Sequence, residues 1–541
     1  MSAAPLVPPA PPDLSALLKV RLPEGRRPYP YQVEAVQFAL EHRFRCLFAD
    51  EMGLGKLVET LCCIAVAPKV LLPAIVVCPA SVLGTWAQHL ADWLPDIEVV
   101  LIRKRTDALG PPRRRRVYLL SWRMLRDRLD ELRTRRARLA VLDEIQACKH
   151  ANTLTAQSAF ALCRTIPRLL LLSGTPIEGT AQDAWPILHL LDPRQFADEE
   201  DFAVRFTKPK VLRAVLGHYA IRRTKAEVKL DLPAKTRQLL WLDLPPRLFH
   251  FYEKVRHDLD AWLVVQFKRR NLALATENYH ALRRTGVPKA EAVARALINA
   301  NTAPPDTKTA RLALVQIGHL WRLAGRLKVG QALQWVQDHF AGGGGPLVIF
   351  AWHRLVVARL CRGLRALNLR WTRVDGSVVG ERREARFASF QAGMYDAIVL
   401  TRAANSGITL TAASDVLFAE RWMVPAWEEQ GEDRCHRIGQ HNPSQVTYLM
   451  ARGTVDERFH ELVDTKRALV ERVLTHDPVD TVLGESPAQG IVSRSLARVM
   501  ATNLERQFAE ATAAKITPRE LVEALRKEAG LGPLRFSHPS P

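Results

Sequence analysis

The chain has 541 residues and a net charge of +21, from 77 lysines and arginines against 56 aspartates and glutamates. This length is too great for one hydrophobic core, so several domains are expected. A composition of 48% hydrophobic and 25% charged residues excludes a mainly disordered chain. The positive charge predicts a polyanionic partner, nucleic acid first, although a genomic arginine bias would also leave a solvated basic surface.

Neither targeting signals nor disulfides are predicted. The N-terminus lacks a charged segment followed by an apolar one, and no uncharged apolar run reaches the roughly eighteen residues that a membrane helix needs. The eight cysteines show no CxxC spacing and several lie in apolar runs, so we expect reduced, buried thiols in a cytosolic protein. Residues 1–25 are rich in Pro and Ala, which predicts a flexible arm.

A glutamine lies ahead of the most informative stretch of the chain. Gln32 follows Tyr29-Pro30-Tyr31 at the start of a helical pattern. A side-chain amide can pair with adenine through one donor and one acceptor. Alone this residue means little, but its place before a phosphate-binding loop predicts a contact with adenine.

That loop is glycine-rich, follows an apolar run and precedes a helical one. It spans residues 50–57 and includes Gly53, Gly55, Lys56 and Leu57. The glycines let backbone N–H groups approach a phosphate chain, the helix end carries partial positive charge, and the lysine adds a full one. Such a loop ordinarily continues with Ser or Thr, whose hydroxyl binds Mg²⁺. Leu57 lacks that group.

Continuous apolar runs after the loop are typical of strands buried in a parallel sheet. The runs are 74–78, 99–102, 117–120, 139–142 and 169–172. Hydroxyl residues follow three of them, at Ser81, Ser121 and the Ser173-Gly174-Thr175 segment. Because ligands bind at the carboxyl edge of open α/β sheets, the hydroxyls of Ser173 and Thr175 could sense a phosphate or contact a nucleic acid.

Two adjacent carboxylates, Asp143 and Glu144, follow the run at 139–142. One acid can hold Mg²⁺ through its water shell, and the next can orient or deprotonate an attacking water. A simple turn after a strand would also place acids there. The pair nevertheless follows the glycine loop at a separation that allows several βα units, which favours a shared nucleotide site.

The second half of the chain begins with long, charged helical segments from residue 181 to 345, ending in the four glycines 342–345. These glycines predict a flexible joint. Beyond them, apolar runs alternate with helical patterns and predict a second parallel sheet without a phosphate loop. The runs are 347–350, 397–400 and 416–418.

A basic segment, residues 430–440, follows the second predicted sheet. Arg434 and Arg437 are three residues apart, so they share one helical face and can reach a single anion. Guanidinium groups from a second lobe can neutralise charge on a transferred γ-phosphate. Cys435 and His436 lie between them without a second pair of ligands, so no metal site is predicted there.

Over residues 26–470 the sequence resembles the Swi/Snf-type ATPases, which are superfamily-two helicase-like motors. The combination of motifs carries the resemblance, since none is specific alone. The motifs are DEMGLGK (50–56), VVCPASVLGTW (76–86), LDE (142–144) with Lys149, LSGTP (172–176), IRRTKAEV (221–228) and QGEDRCHRIGQ (430–440). Segments 351–357 and 410–420 look most like the branch that contains annealing helicases and small prokaryotic members.

The resemblance implies an α/β fold with two RecA-like parallel-sheet lobes and helical insertions between them. The expected domains are a flexible arm (1–25), a first ATP-binding lobe (26–245) with a helical protrusion near 185–230, a helical insertion (246–345), a second lobe (346–475) and a basic, partly helical C-terminal extension (476–541).

The resemblance also implies roles for individual residues. In the nucleotide site, Gln32 contacts adenine, and Asp50, Gly53, Leu54, Gly55, Lys56 and Leu57 form the phosphate loop. The implied catalytic residues are Lys56, Asp143 (holding Mg²⁺ through water), Glu144 (orienting water), Arg434 and Arg437, the last as the arginine finger. Contacts with DNA, or coupling of DNA to ATP, are implied for Ser81, Ser121, Lys149, Thr175 and Thr401.

Four positions depart from the family pattern. They are Leu57 in place of Thr, Gln146 where His is common, Gly179 where Asn often follows the GTP sequence, and Met423 at the usual tryptophan. Only Leu57 removes a group that the chemistry uses directly, although Mg²⁺ could keep an extra water in place of the hydroxyl.

The leading hypothesis is therefore a DNA-stimulated ATPase that uses ATP and Mg²⁺ to translocate along double-stranded DNA. The alternatives are a DNA-clamping scaffold with weak or no ATP hydrolysis, and a strand-separating or annealing helicase. Without a histone-tail reader, zinc module or nuclease motif, the sequence favours DNA repair, recombination or transcription over chromatin remodelling. We expect a monomer, recruited by a protein partner, in the cytoplasm of a GC-rich prokaryote.

Overall fold

The computed structural model describes residues 14–178, 180–206, 208–228, 232–285, 296, 307–402, 408–437 and 439–474. Within them the chain forms one sheet of seven strands and one of six, with helices around both. The predicted fold class, α/β with two RecA-like parallel-sheet lobes and helical insertions, is confirmed.

The first lobe contains the seven-stranded sheet, in the order β3-β4-β2-β5-β6-β1-β7, with all neighbours parallel. Its strands are β1 (Arg45–Phe48), β2 (Ala74–Cys78), β3 (Glu98–Ile102), β4 (Arg116–Ser121), β5 (Leu139–Asp143), β6 (Arg168–Leu172) and β7 (Ala220–Ile221). Its helices are α1 (Leu14–Arg21), α2 (Pro30–Glu41), α3 (Lys56–Val66), α4 (Pro68–Leu71), α5 (Leu83–Trp93), α6 (Trp122–Asp127), α7 (Leu129–Arg133), α8 (Leu154–Cys163), α9 (Trp185–Leu191), α10 (Glu199–Arg205) and α11 (Pro209–Tyr219).

Side chains of the central strands alternate between two buried faces of this sheet. In β2, Val76 and Cys78 pack in one hydrophobic cluster with Trp86 of α5, whereas Ile75 and Val77 pack in another with residues of α6 and α8. Because helices cover both faces, every position of the strand is apolar. This explains why continuous apolar runs, and not alternating ones, marked these strands in the sequence.

The parallel registers bring the carboxyl ends of three strands to one edge. Phe48 of β1 pairs with Leu172 of β6, which in turn pairs with Asp143 of β5. The glycine loop, the acid pair and the Ser173–Thr175 segment therefore leave the sheet side by side.

The second lobe contains the six-stranded sheet, in the order β10-β11-β9-β12-β13-β8. Its strands are β8 (Lys235–Leu242), β9 (Leu347–Phe350), β10 (Trp371–Val374), β11 (Ala397–Leu400), β12 (Asp415–Phe418) and β13 (Ser444–Ala451). The helices from here to the end are α12 (Pro246–Arg284), α13 (Thr307–Leu327), α14 (Val329–Ala341), α15 (Arg354–Ala366), α16 (Glu381–Gln391), α17 (Pro425–Glu432) and α18 (Val455–Leu474).

Two predicted boundaries are wrong. Residues 14–21, assigned to a flexible arm, form α1, because Leu14 and Leu18 lie on one helical face and are buried against the first lobe's core. The strand at 235–242, assigned to the first lobe, is the edge strand of the second sheet. There the backbone N–H of Ser444 donates to the carbonyl of Ala234 at 2.8 Å. The segment follows the first lobe in the sequence, but its hydrogen bonds to β13 make it part of the second sheet.

The described chain divides into two compact units. One comprises residues 14–240, 333–449 and 463–474, and it holds most of both sheets. The other comprises described residues of 241–332 and 450–462. Inside this smaller unit, Lys328 forms a fully buried ion pair with Asp456 at 2.7 Å, and Trp321 meets Phe459 edge to face.

Some sequence predictions concern single residues or terminal segments. All eight cysteines are buried and unpaired, as predicted for core thiols. The predicted extension at 476–541 and the departure at Gly179 lie outside the described residues. In the described part of the chain, none of the helices combines the length and the apolar character needed to cross a membrane.

Candidate nucleotide site

The glycine loop connects β1 to α3 and has the backbone of an anion-binding turn. Gly53 and Gly55 have φ values of +92° and +88°, which favour glycine, and Gly55 is the N-cap of α3. The ammonium of Lys56 donates to the carbonyls of Asp50 at 2.6 Å and Glu51 at 3.3 Å. Burial lowers its pKa, and nearby carboxylates, Glu144 first, oppose that shift. The loop thus directs a helix N-terminus and a partly buried lysine to one point.

Gln32 lies directly against this loop. Its side-chain amide donates to the carbonyl of Leu54 at 2.9 Å and accepts from the backbone N–H of Tyr29 at 3.0 Å. The hydroxyl of Tyr31 donates to the same Leu54 carbonyl at 2.8 Å. A Cβ built on Gly55 would lie 2.5 Å from the Gln32 amide nitrogen. A side chain at position 55 would therefore displace the Gln32 amide from its hydrogen bond to Leu54, in addition to the strain of the positive φ.

Asp50, predicted as a nucleotide contact, is fully buried and engages Arg223 of the segment after β7. Its carboxylate accepts from the Arg223 guanidinium at 2.5 Å and from the Arg223 backbone N–H at 2.8 Å. Glu59 of α3 lies 3.6 Å from the same guanidinium, and burial together with Asp50 raises its pKa well above the usual range. Arg223 also stacks over Tyr31 and donates to its carbonyl. The Asp50 carboxylate thus connects the start of the glycine loop to the segment after β7.

Leu57 offers no oxygen to the site and packs against the hydrophobic cluster under the sheet. Thr60, one turn later, donates its hydroxyl to the carbonyl of Lys56 at 3.0 Å. Its hydroxyl is therefore engaged within α3. The first turn of this helix presents an apolar residue where the predicted chemistry would use a hydroxyl.

The acid pair ends β5 in an unusual backbone conformation. Glu144 has φ +55° and ψ +55°, a left-handed conformation that is uncommon outside glycine. Asp143 accepts from the indole N–H of Trp86 at 2.8 Å. Burial and the neighbouring Glu144 raise the pKa of Asp143 to about 7. The Asp143 carboxylate, a hard oxygen donor whose negative charge is disfavoured, fits Mg²⁺, since a cation beside it would offset both causes.

A hydrogen-bond chain links Glu144 to the end of β6. Gln146 donates its amide to Glu144 Oε2 at 2.5 Å and accepts from the hydroxyl of Ser173 at 2.8 Å. The backbone N–H of Thr175 donates to that same hydroxyl at 3.0 Å. Gln146, noted only as a departure from the family pattern, thus connects the acid pair to the LSGTP segment.

Arg434 and Arg437 follow α17 and converge on one acceptor. Their guanidinium groups donate to the carbonyl of Ile408 at 3.3 Å and 3.2 Å. Burial, and then Arg437, lower the pKa of Arg434 to about 10. A Cβ built on Gly53 would lie 3.9 Å from Cβ of Arg437. The two arginines therefore lie in turns beyond the helix and not on one helical face, but they share an acceptor, and Arg437 lies next to the glycine loop of the other lobe.

Two side chains of α17 also contact the first lobe. Gln430 donates its amide to Glu144 Oε1 at 3.3 Å, and Trp427 donates its indole N–H to Glu178 Oε1 at 3.2 Å. Glu178 also pairs with Lys149 at 2.5 Å. The acid pair and the segment after β6 are thus both in contact with one helix of the second lobe.

Four of the five residues predicted to serve DNA lie at or just after the carboxyl ends of strands, and Lys149 follows β5 after a short 3₁₀ helix (Ile145–Cys148). Their side chains differ in what they contact. Ser121 is buried and caps α6 by accepting from the Met124 N–H at 3.3 Å. Lys149 is in the ion pair with Glu178. The buried hydroxyl of Thr175 has no hydrogen-bond partner among the described residues. Ser81 and Thr401 follow β2 and β11 and are half-buried.

Sequence reasoning missed several residues that shape this site. They are Trp86, Gln146, Glu178, Arg223 and Lys225. Trp86, Arg223 and Lys225 were visible only as parts of motifs, because their partners Asp143, Asp50 and Asp433 lie far away in sequence. Gln146 was noted only as a departure from the family pattern, and Glu178 was not singled out. One signal could have suggested the contact between Trp86 and Asp143. The strands that precede the VVCPASVLGTW and LDE motifs, β2 and β5, are neighbours in the sheet.

Two family models match this chain: the SNF2-related domain over residues 31–291 and the helicase conserved C-terminal domain over residues 331–439. A Caenorhabditis elegans SWI/SNF-related matrix-associated actin-dependent regulator of chromatin subfamily A-like protein 1 homolog is 30% identical, over 86% of this chain and 64% of its own length. The DNA annealing helicase and endonuclease ZRANB3 of Mus musculus is 26% identical, over 81% of this chain and 40% of its own.

Among solved structures, the Sulfolobus solfataricus SWI2/SNF2 ATPase core in complex with dsDNA is 21% identical, with a TM-score of 0.39, over 84% of this chain and 98% of that one. The chain spans only part of the length of both curated relatives.

Proposed function

Since the chain belongs to the SNF2-type family of helicase-like proteins, we propose that it hydrolyses ATP and uses the reaction to translocate along double-stranded DNA. One observation carries the proposal. Lys56, the acid pair and the two arginines meet at one place, although they come from three separate parts of the chain and from both lobes.

Some groups of the chain bind the nucleotide, and others orient water or neutralise the charge that develops during hydrolysis. Loop N–H groups and Lys56 bind phosphates, and Gln32 reads adenine beside the loop. Glu144, held by Gln146 and Gln430, orients the attacking water and receives its proton. Arg434 and Arg437 neutralise the charge that develops on the phosphoryl group. When bound through Asp143, Mg²⁺ supplies further charge neutralisation on the phosphates.

The proposed DNA-binding surface is supported by the positive net charge of the chain and by five residues near the carboxyl edges of the two sheets. Ser81, Ser121, Thr175 and Thr401 lie at or just after carboxyl ends of strands in the two lobes, and Lys149 follows β5 after a short 3₁₀ helix. A net charge of +21 favours contact with many phosphates. DNA affinity should therefore fall steeply and linearly as log K against log salt, and a flat response would contradict a basic DNA-binding face.

ATPase rates with and without duplex DNA test the motor directly. We expect DNA to raise the rate in the wild type and to have no effect in Lys56→Ala or Glu144→Gln. Displacement of the third strand of a triplex without opening of the duplex would identify translocation. Release or annealing of labelled single strands would instead identify a strand-separating or annealing helicase.

A DNA-clamping scaffold with little hydrolysis is the second candidate, and one observation favours it. Leu57 is packed in the core and presents no oxygen at the first turn of α3. Under this alternative, duplex DNA binds with the same salt dependence, but the rate with DNA equals that of Lys56→Ala.

The setting of the activity is also a proposal. We propose a monomer that serves DNA repair, recombination or transcription in the cytoplasm of a prokaryote and is recruited by a protein partner. The curated relatives named above are eukaryotic. Light scattering of the purified chain with and without duplex DNA tests the monomer.

A further inference from the structure

Lys225 lies in the segment after β7 and is tied to the glycine loop through its backbone. The N–H of Glu51 donates to the carbonyl of Arg223 at 2.9 Å, and the N–H of Lys225 donates to Glu51 Oε2 at 2.8 Å. The segment therefore moves with the loop of the first lobe.

The ammonium of Lys225 reaches the second lobe. It lies 2.8 Å from Asp433 Oδ1 and 3.5 Å from Glu51 Oε1, and it donates to the carbonyl of His436 at 3.3 Å. Its side chain is only 10% exposed. One buried cation thus joins a carboxylate of each lobe, and such a pair is screened by salt much less than a surface pair.

The position of this contact relates it to the two arginines. Asp433 is the C-cap of α17 and immediately precedes Arg434. A Cβ built on Gly53 would lie 3.4 Å from Cε of Lys225 and 3.9 Å from Cβ of Arg437. Holding Asp433 therefore fixes the C-terminal end of α17, directly before the turns that carry both arginines.

We propose that Lys225 is a positioning residue, which acts through Asp433 to hold Arg434 and Arg437 against the glycine loop. The inference deepens the proposed ATP hydrolysis and rests on it for its catalytic consequence. The closed arrangement of the two lobes is its direct structural consequence and can be measured without nucleotide.

Lys235 provides a matched control. It pairs with the same Asp433 oxygen at 3.1 Å and with Glu432 at 2.9 Å, and its side chain is 16% exposed. It belongs to β8 of the second sheet. Lys235→Met therefore removes an equally buried positive charge from Asp433 without removing the link to Glu51 and the loop.

Fluorescence energy transfer between the lobes tests the link. Because all eight native cysteines are buried, dyes can be placed on Val204→Cys and Val379→Cys, which replace side chains that are 83% and 70% exposed in the two lobes. Without nucleotide, we expect one narrow distribution of efficiencies in the otherwise wild-type chain and in Lys235→Met. Lys225→Met should broaden it and lower its mean.

Asp433→Asn breaks the contact from the other side, so it should reproduce the shift, and the double variant should add nothing further. If Lys225→Met does not fold, Asp433→Asn alone still tests whether this contact holds the lobes together. An unchanged distribution in both variants, or an equal shift in Lys235→Met, would overturn the proposal.

Steady-state kinetics give the second readout. For Lys225→Met we expect kcat to fall by about a hundred-fold, the usual effect of misplaced catalytic groups, with KM for ATP little changed. Lys225→Arg should restore much of the rate because it keeps the charge. If the wild type shows no ATPase activity, the proposed function fails, and the fluorescence result still decides whether Lys225 joins the lobes.

Discussion

Gln430 of α17 donates its side-chain amide to Glu144 Oε1 at 3.3 Å, which connects the second lobe to the acid pair of the first. The other oxygen of the same carboxylate accepts from Gln146. Glu144 therefore has one partner in each lobe. Its orientation toward an attacking water depends on the position of α17.

Gln430→Leu should lower the DNA-stimulated kcat on the order of ten-fold, since a hydrogen bond to a charged group contributes about 1.5–3 kcal/mol. ATP binding should be unaffected, because Gln430 does not contact the glycine loop through any described hydrogen bond. Trp427→Phe, which removes the parallel bond from α17 to Glu178, is the matched control. An equal loss of kcat in both variants would show that contact between the lobes matters and that the bond to Glu144 does not.

Leu57→Thr tests whether the missing hydroxyl limits the reaction. Thr restores an oxygen at the first turn of α3, so the ATPase rate should rise and less Mg²⁺ should be needed for half-maximal rate. The loss of apolar contact with the core should lower the free energy of unfolding by about 1–3 kcal/mol. Leu57→Val has the shape of Thr without the hydroxyl. A similar rate in both variants would mean that the loop functions without this group.

The sequence predicted what local pattern and the family motifs encode. Continuous apolar runs predicted β2, β5 and β6, and the motifs predicted that the acid pair and Arg434 would meet the glycine loop. It did not predict that β8 joins the second sheet, because strand pairing is a non-local choice. The role of Arg223 was hidden for the same physical reason, since its partner Asp50 is far away in the chain. Buried ion pairs between distant segments leave no periodic signal.

Gly55→Ala should impair both folding and nucleotide binding. Its φ of +88° strains any Cβ, and that Cβ would lie 2.5 Å from the Gln32 amide. Gly343 has a similar φ of +81°, and no atom in the described part of the chain lies within 4 Å of the added Cβ. Gly343→Ala should thus lower the free energy of unfolding by about 1–2 kcal/mol from backbone strain alone. Gly55→Ala should lose more, and it alone should weaken binding of a fluorescent ATP analogue. Equal stability losses with intact binding would exclude close packing of Gln32 on the loop.

The raised pKa of Asp143 gives a pH dependence with a defined sign. Its pKa is about 7 in the folded protein against an ordinary 3.8, so between these values the folded chain holds a proton that the unfolded chain has released. Stability from this group is then complete below pH 3.8 and is lost as pH rises to about 7. The thermal midpoint of the wild type, minus that of Asp143→Asn, should fall from pH 5 to pH 7 and level off above it. Added Mg²⁺ should reduce this fall in the wild type alone, because a cation stabilises the ionised carboxylate. Parallel midpoints for the two proteins across this range, with or without Mg²⁺, would show that Asp143 is already ionised in the folded chain at acidic pH.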